Sequence, residues 1–146
     1  MEQPPEEIRF NNVLTGLVSF VSEIDKKNPG VTTLTEGQYK LVKVALIAGD
    51  KIEMIEEYGS NSRDFWGMIL SEDESFFLER IDQLFSGFPK EYVKQLERLF
   101  KSGRISRDDK GVIWRYLKSL TKITMKYLHK KGEDVRGDII LWKIKV

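Results

Sequence analysis

The chain has 146 residues, no cysteine and a net charge of +1, with 40% hydrophobic, 11% aromatic and 32% charged residues. A domain of this length buries roughly 68–70% of the surface its unfolded chain exposes, so a core needs neither metal nor disulfide. Near-zero net charge with many aromatics excludes disorder for the bulk of the chain, and the lack of cysteine removes disulfides, thiolate metal sites and a cysteine nucleophile.

No apolar run approaches the ~20 residues of a membrane helix, and no basic stretch precedes an apolar one as in a signal peptide. The expectation is an intracellular domain in a reducing compartment that does not insert into membranes.

Pro4, Pro5, Glu6 and Glu7 start a first helix, with acids at the positive end of its dipole. Ile8, Val13, Leu14, Leu17, Val18, Val21 and Ile24 recur at three- and four-residue steps and define its apolar face. Asn28-Pro29-Gly30 ends it. Thr35 and Gln38 have capping-box spacing for a second helix, which places Leu41, Val42, Ala45, Ala48, Ile52 and Ile55 on the inner side. Gly49-Asp50 is a break, because Asp50 and Glu53 form a second box. Gly59 to Ser62 reads as a loop before a short helix over 63–70.

Ser71 and Glu74 have the spacing of another box, ahead of a helix carrying Phe76, Phe77, Ile81, Leu84 and Phe85 and closed at Gly87. Phe88-Pro89 opens a helix with Tyr92, Val93, Leu96, Leu99 and Phe100, closed at Gly103. Ser106 caps a long helix reaching about Lys131. Beyond it, Ile140, Trp142, Ile144 and Val146 alternate with Leu141, Lys143 and Lys145, a period-two pattern. That segment reads as an extended tail folded onto the bundle, or as a strand pairing with 31–34 or with another chain. The fold class is therefore all-α: a single bundle of five or six helices over 1–137, with a strand-like or extended tail over 138–146.

Charge is unevenly distributed. Residues 1–100 hold 11 lysines and arginines against 18 acids, whereas residues 101–146 hold 13 against 5. On a helical wheel Arg107, Arg115, Lys118, Lys122, Lys126 and Lys130 share one arc of about 140°. Ile113, Tyr116, Leu117, Leu120, Ile123, Tyr127 and Leu128 lie opposite. A basic stripe can track phosphates by releasing counterions, but a solvated or internally paired face is the commoner outcome. Trp114 and Met125 fall beside the basic arc, and a tryptophan there either packs under a neighbouring helix or marks an interface.

Nothing supports catalysis or a cofactor. His129 is the lone histidine, among Lys126, Lys130 and Lys131, and reads as a surface residue. Glu53, Glu56 and Glu57, and Glu72, Asp73 and Glu74, read as solvated helix-start acids, since consecutive helical residues diverge by 100°. No phosphate-binding glycine loop, dinucleotide fingerprint or nucleophile elbow is present.

The phrases Phe65-Trp66-Gly67-Met68-Ile69-Leu70, Asp73-Glu74-Ser75-Phe76-Phe77 and Ile113-Trp114-Arg115-Tyr116-Leu117-Lys118-Ser119-Leu120 resemble small uncharacterised helical proteins of nucleocytoplasmic large DNA viruses. The resemblance spans roughly residues 60–130. It implies a virus-encoded helical protein that sits in the virion or binds a viral or host protein, and it assigns no catalytic residue.

The reading is a non-enzymatic interaction or structural protein, without cofactor or metal, contacting a protein partner or a second copy. Its expected contact residues are Trp114, Arg115, Lys118, Lys122, Lys126 and Trp142. The alternative is a nucleic-acid-binding accessory protein using Arg107, Arg115, Lys118, Lys122, Lys126 and Lys130 on phosphates.

Overall fold

A computed structural model describes residues 4–28 and 34–132. The expected tail over 138–146, with Trp142, lies outside the described residues, as do residues 31–33, its suggested pairing partner. The described residues form an all-α fold without strands. Six helices of eleven residues or more are α1 (Glu6–Lys27), α2 (Glu36–Ala48), α3 (Lys51–Ser62), α5 (Glu74–Leu84), α6 (Lys90–Lys101) and α7 (Arg107–Lys130). A 3₁₀ turn at Arg63–Phe65 and the five-residue α4 (Trp66–Leu70) join α3 to α5.

Local capping sets most boundaries. Thr35 and Gln38 form the reciprocal box at the start of α2. The Asp50 side chain accepts from the Glu53 amide at 3.0 Å and begins α3 after the Gly49 break, and Ser106 accepts from Asp109 at the start of α7. Two boundaries differ from expectation. Asp73, not Ser71, caps α5, accepting from the Phe76 amide at 3.1 Å. Glu72 is held in the left-handed region (φ 58°) by the turn that closes α4, where the Asp73 amide bonds back to the Met68 carbonyl.

Residues 59–62 are not a loop. They are the last turn of α3, because Gly59 lies directly under α7. A Cβ there would sit 3.1 Å from the Thr124 methyl and 3.3 Å from Leu128, so the glycine is needed for close helix approach rather than for a turn. Ser62 is fully buried and accepts the Trp66 indole N–H at 2.9 Å.

One cluster of buried side chains joins all six long helices, with Phe10, Leu14, Val18 and Val21 of α1 facing Ile113, Leu117 and Leu120 of α7. Tyr58 reaches from α3 into this cluster. Its ring lies 5.5 Å from Phe10 and 5.7 Å from Phe85, and its hydroxyl shares a 2.9 Å hydrogen bond with Thr121. Burial pushes that phenol up to about 12, a shift the Thr121 hydrogen bond opposes.

Candidate interaction surface

α2 carries apolar residues around most of its circumference, so periodicity alone cannot say which side enters the core. The structure chooses the side bearing Tyr39 and Leu46, which are buried, with Val42 half-buried. The expected inner face is wrong for Leu41, Ala45, Ala48 and Ile52, all of them exposed; only Ile55 is buried as expected.

Polar anchors explain the choice. The Tyr39 hydroxyl donates to the buried carboxylate of Asp25, which also accepts from Gln95 of α6 at 3.0 Å. At the other end of α2, Asn11 of α1 donates to the Leu46 carbonyl at 2.9 Å. Lys43 reaches Ser19 at 3.3 Å between them. Turning α2 to bury Leu41 would strip partners from a buried carboxylate and a buried amide, and would also expose Tyr39 and Leu46, so the loss exceeds what burying one aliphatic side chain gains.

The consequence is an apolar row on the outside. Leu41 is 69% exposed, Val44 61%, Ile47 59% and, at the start of α3, Ile52 51%. Val44 and Ile47 also form one wall of an open groove of about 530 Å³ between α2 and α1, whose other wall is Asn12, Thr15, Gly16 and Ser19.

The expected contact surface on α7 is different from its prediction. Trp114 is 4% exposed and is a core residue, with its ring 5.3 Å from Phe77 and 6.0 Å from Phe100. It cannot serve as a contact residue in this fold. Met125 is also buried, with Trp66, Leu70 and Leu128. The buried arc of α7 is wider than the wheel suggested because α1, α3, α4 and the Phe77–Phe100 pair cover it from several sides.

The basic arc faces outward, and among the described residues acids from the first hundred positions meet two of its six cations in ion pairs. Lys118 pairs with Glu72 at 2.6 Å and Lys130 with Glu6 at 2.6 Å. Two cations outside the predicted set do the same, Lys110 with Glu74 at 2.9 Å and Lys131 with Glu56. Lys122 is exposed and has an interaction of its own. Arg107, Arg115 and Lys126 are exposed, and Arg115 edges a shallow groove with Val13, Val112, Tyr116 and Ser119.

The acid clusters are spent one residue at a time. Glu72 and Glu74 make ion pairs, and Asp73 caps a helix. The Lys130 hydrogen bond holds the Glu6 carboxyl below the usual carboxylate range. Lys131, then the Tyr127 hydroxyl at 3.1 Å, do the same for Glu56. His129 is exposed.

Compared with known proteins, the chain matches no family model, no curated protein and no solved structure. Several residues that carry the resemblance to viral proteins, including Trp66, Phe77, Trp114 and Leu117, are buried, so they report on packing rather than on a contact surface. Among the described residues no helix is long and apolar enough to cross a membrane.

Proposed function

We propose that this chain is a non-enzymatic interaction protein whose contact face is the outer side of α2, taking a short apolar segment of a protein partner. The observation that carries this reading is the exposed row Leu41, Val44, Ile47 and Ile52 beside an open groove. Large aliphatic side chains exposed together mark interaction sites more often than isolated ones do. Its α2 members, Leu41, Val44 and Ile47, follow the i, i+3 spacing by which a helix presents anchors to a partner. The resemblance over residues 60–130, which does not reach α2, is the basis for placing the chain in a viral setting, in the virion or on a viral or host protein.

The phosphate-tracking alternative is weaker, because Lys118 and Lys130 already lean on Glu72 and Glu6. The test is a displayed-peptide selection on the full chain, with the double substitution Leu41→Asp and Val44→Asp as comparison. Recovered peptides should bind the unmodified chain and lose about tenfold or more in affinity on the substituted one, as expected for two removed anchors. Peptides indifferent to the substitutions would overturn the reading.

A further inference from the structure

On the outer side of α2, opposite Tyr39 and Leu46, the residues Leu41, Val44, Ala45 and Ala48 stand at i, i+3, i+4 and i+7, and all four are exposed. At the helical turn per residue they lie within one arc of about 100°. This is the spacing of a seam along which a second helix packs. No charge falls inside the arc. Lys40 stands at its edge, beside Val44 on the wheel, and is exposed.

The seam is uneven along its length: two large side chains, Leu41 and Val44, are followed by two alanines. A helix laid across it packs without voids when its small residues meet the large ones and its large residues meet the small. α2 read backwards has that pattern. With a second α2 running antiparallel about a two-fold axis midway between positions 44 and 45, Leu41 faces the second copy's Ala48 and Val44 faces its Ala45. Symmetry repeats both contacts. The alanines let the two axes approach to about 8 Å, the near end of the range for packed helices.

Charge favours the same direction. Parallel packing would set Lys40 against the Lys40 of the second copy. Antiparallel packing separates the two lysines by about 13 Å along the axis and brings each to the Gly49–Asp50 end of the other α2, where Asp50 is exposed as the cap of α3. The exposed aliphatic side chains of the seam, with Ile47 at its margin, offer on the order of 400 Å² per copy, about half of what each partner buries in a standard interface. Such a contact is weak and reversible.

We propose that α2 is a self-association face, through which two copies of this chain pair antiparallel over Leu41, Val44, Ala45 and Ala48 with a Kd on the order of 100 µM. The inference takes the location of the contact face from the proposed function and names a second copy as its occupant.

The chain has no cysteine, so single introduced thiols report which residues meet. Full-length Leu41→Cys and Ala48→Cys chains, one of them carrying a mass tag, are mixed at about 100 µM under mild oxidation and resolved on a non-reducing gel. In the antiparallel pair Leu41 meets Ala48, whereas the two Leu41 positions lie about 10 Å apart along the axis, beyond the ~7 Å Cα separation that a disulfide bridges. The mixed product should exceed either single-variant dimer by about tenfold, where random collision gives about twofold. A mixed product at the random ratio, or a dominant dimer of the Leu41→Cys chain with itself, would overturn the proposal.

Sedimentation equilibrium gives a readout that needs no cysteine. Between about 10 µM and 1 mM the unmodified chain should shift reversibly from monomer to dimer. Val44→Asp should weaken that association about tenfold or more and leave the helical circular dichroism unchanged, since Val44 is exposed in the monomer. A chain that stays monomeric throughout, or a dimer indifferent to Val44→Asp, would sink the inference. A monomer that still binds selected peptides through α2 would leave the interaction reading standing, with a foreign segment as the occupant. A dimer with the expected crosslink that yields no α2-dependent peptides would keep the second copy and remove the foreign segment.

Discussion

Trp114 shows how much a single residue's role depends on its neighbours. Its wheel position, beside the basic arc of α7, made it the leading contact candidate. In the fold its ring is enclosed by Phe77 and Phe100. Removing a buried ring of that size leaves a cavity in a packed cluster, and Trp114→Ala should cost about 3–5 kcal/mol of stability. Urea unfolding followed by circular dichroism measures this; a loss under about 1 kcal/mol, within the range of surface substitutions, would return Trp114 to the surface. Tyr92 illustrates a different residue-scale effect. Its hydroxyl is buried without a hydrogen-bond partner among the described residues, and burial raises its pKa far above that of a free phenol. Its ring meets Tyr39 edge-on at 6.4 Å, so the packing of the ring offsets the cost of the orphaned hydroxyl.

At the scale of the element, α2 is the helix whose orientation matters most, because both of its sides are apolar. The Asp25–Tyr39–Gln95 group ties α1, α2 and α6 together at one end, and the Asn11–Leu46 bond ties α1 to α2 at the other. Tyr39→Phe removes one hydroxyl from this group and leaves a buried carboxylate short of a donor. It should destabilise the protein by about 1–3 kcal/mol. Equilibrium unfolding with an unchanged m-value checks this. A neutral effect would mean that Asp25 does not need Tyr39, and the account of α2's orientation would then fail. α7 is the opposite case: its apolar and basic sides are distinct enough for the sequence to orient it, and only the width of the buried arc was underestimated.

At the scale of the fold, the charge asymmetry between the first hundred residues and the rest is partly offset among the described residues. Glu6, Glu56, Glu72 and Glu74 are brought to the cations of α7 from positions 36 to 124 residues away in sequence. Each such pair is partly open to water and contributes little stability on its own, but together they lower the positive potential of the stripe. Binding of a ~25-base-pair duplex at 50 mM salt should therefore be weak, with a salt slope equivalent to fewer than about four released counterions. Tight binding with a steeper slope would show that Arg107, Arg115 and Lys126, with the paired lysines, act as a phosphate track after all.

The sequence by itself determined most helix boundaries, though not the cap of α5 or the end of α3, and the inner faces of the helices with one apolar side. Caps such as Thr35, Asp50 and Ser106 act within a turn of their own position, and the cores of α1, α5 and α6 follow from a single apolar stripe each. Only the tertiary structure decided which side of α2 is buried, whether Trp114 is core or surface, and which acids meet the basic arc. Those choices depend on buried polar groups and ring contacts far apart in the chain: Asp25 with Gln95, Trp114 with Phe77, Glu6 with Lys130. Local spacing carries no record of such contacts. The candidate site lies where this matters most, on a helix with two apolar faces and room in the core for only one.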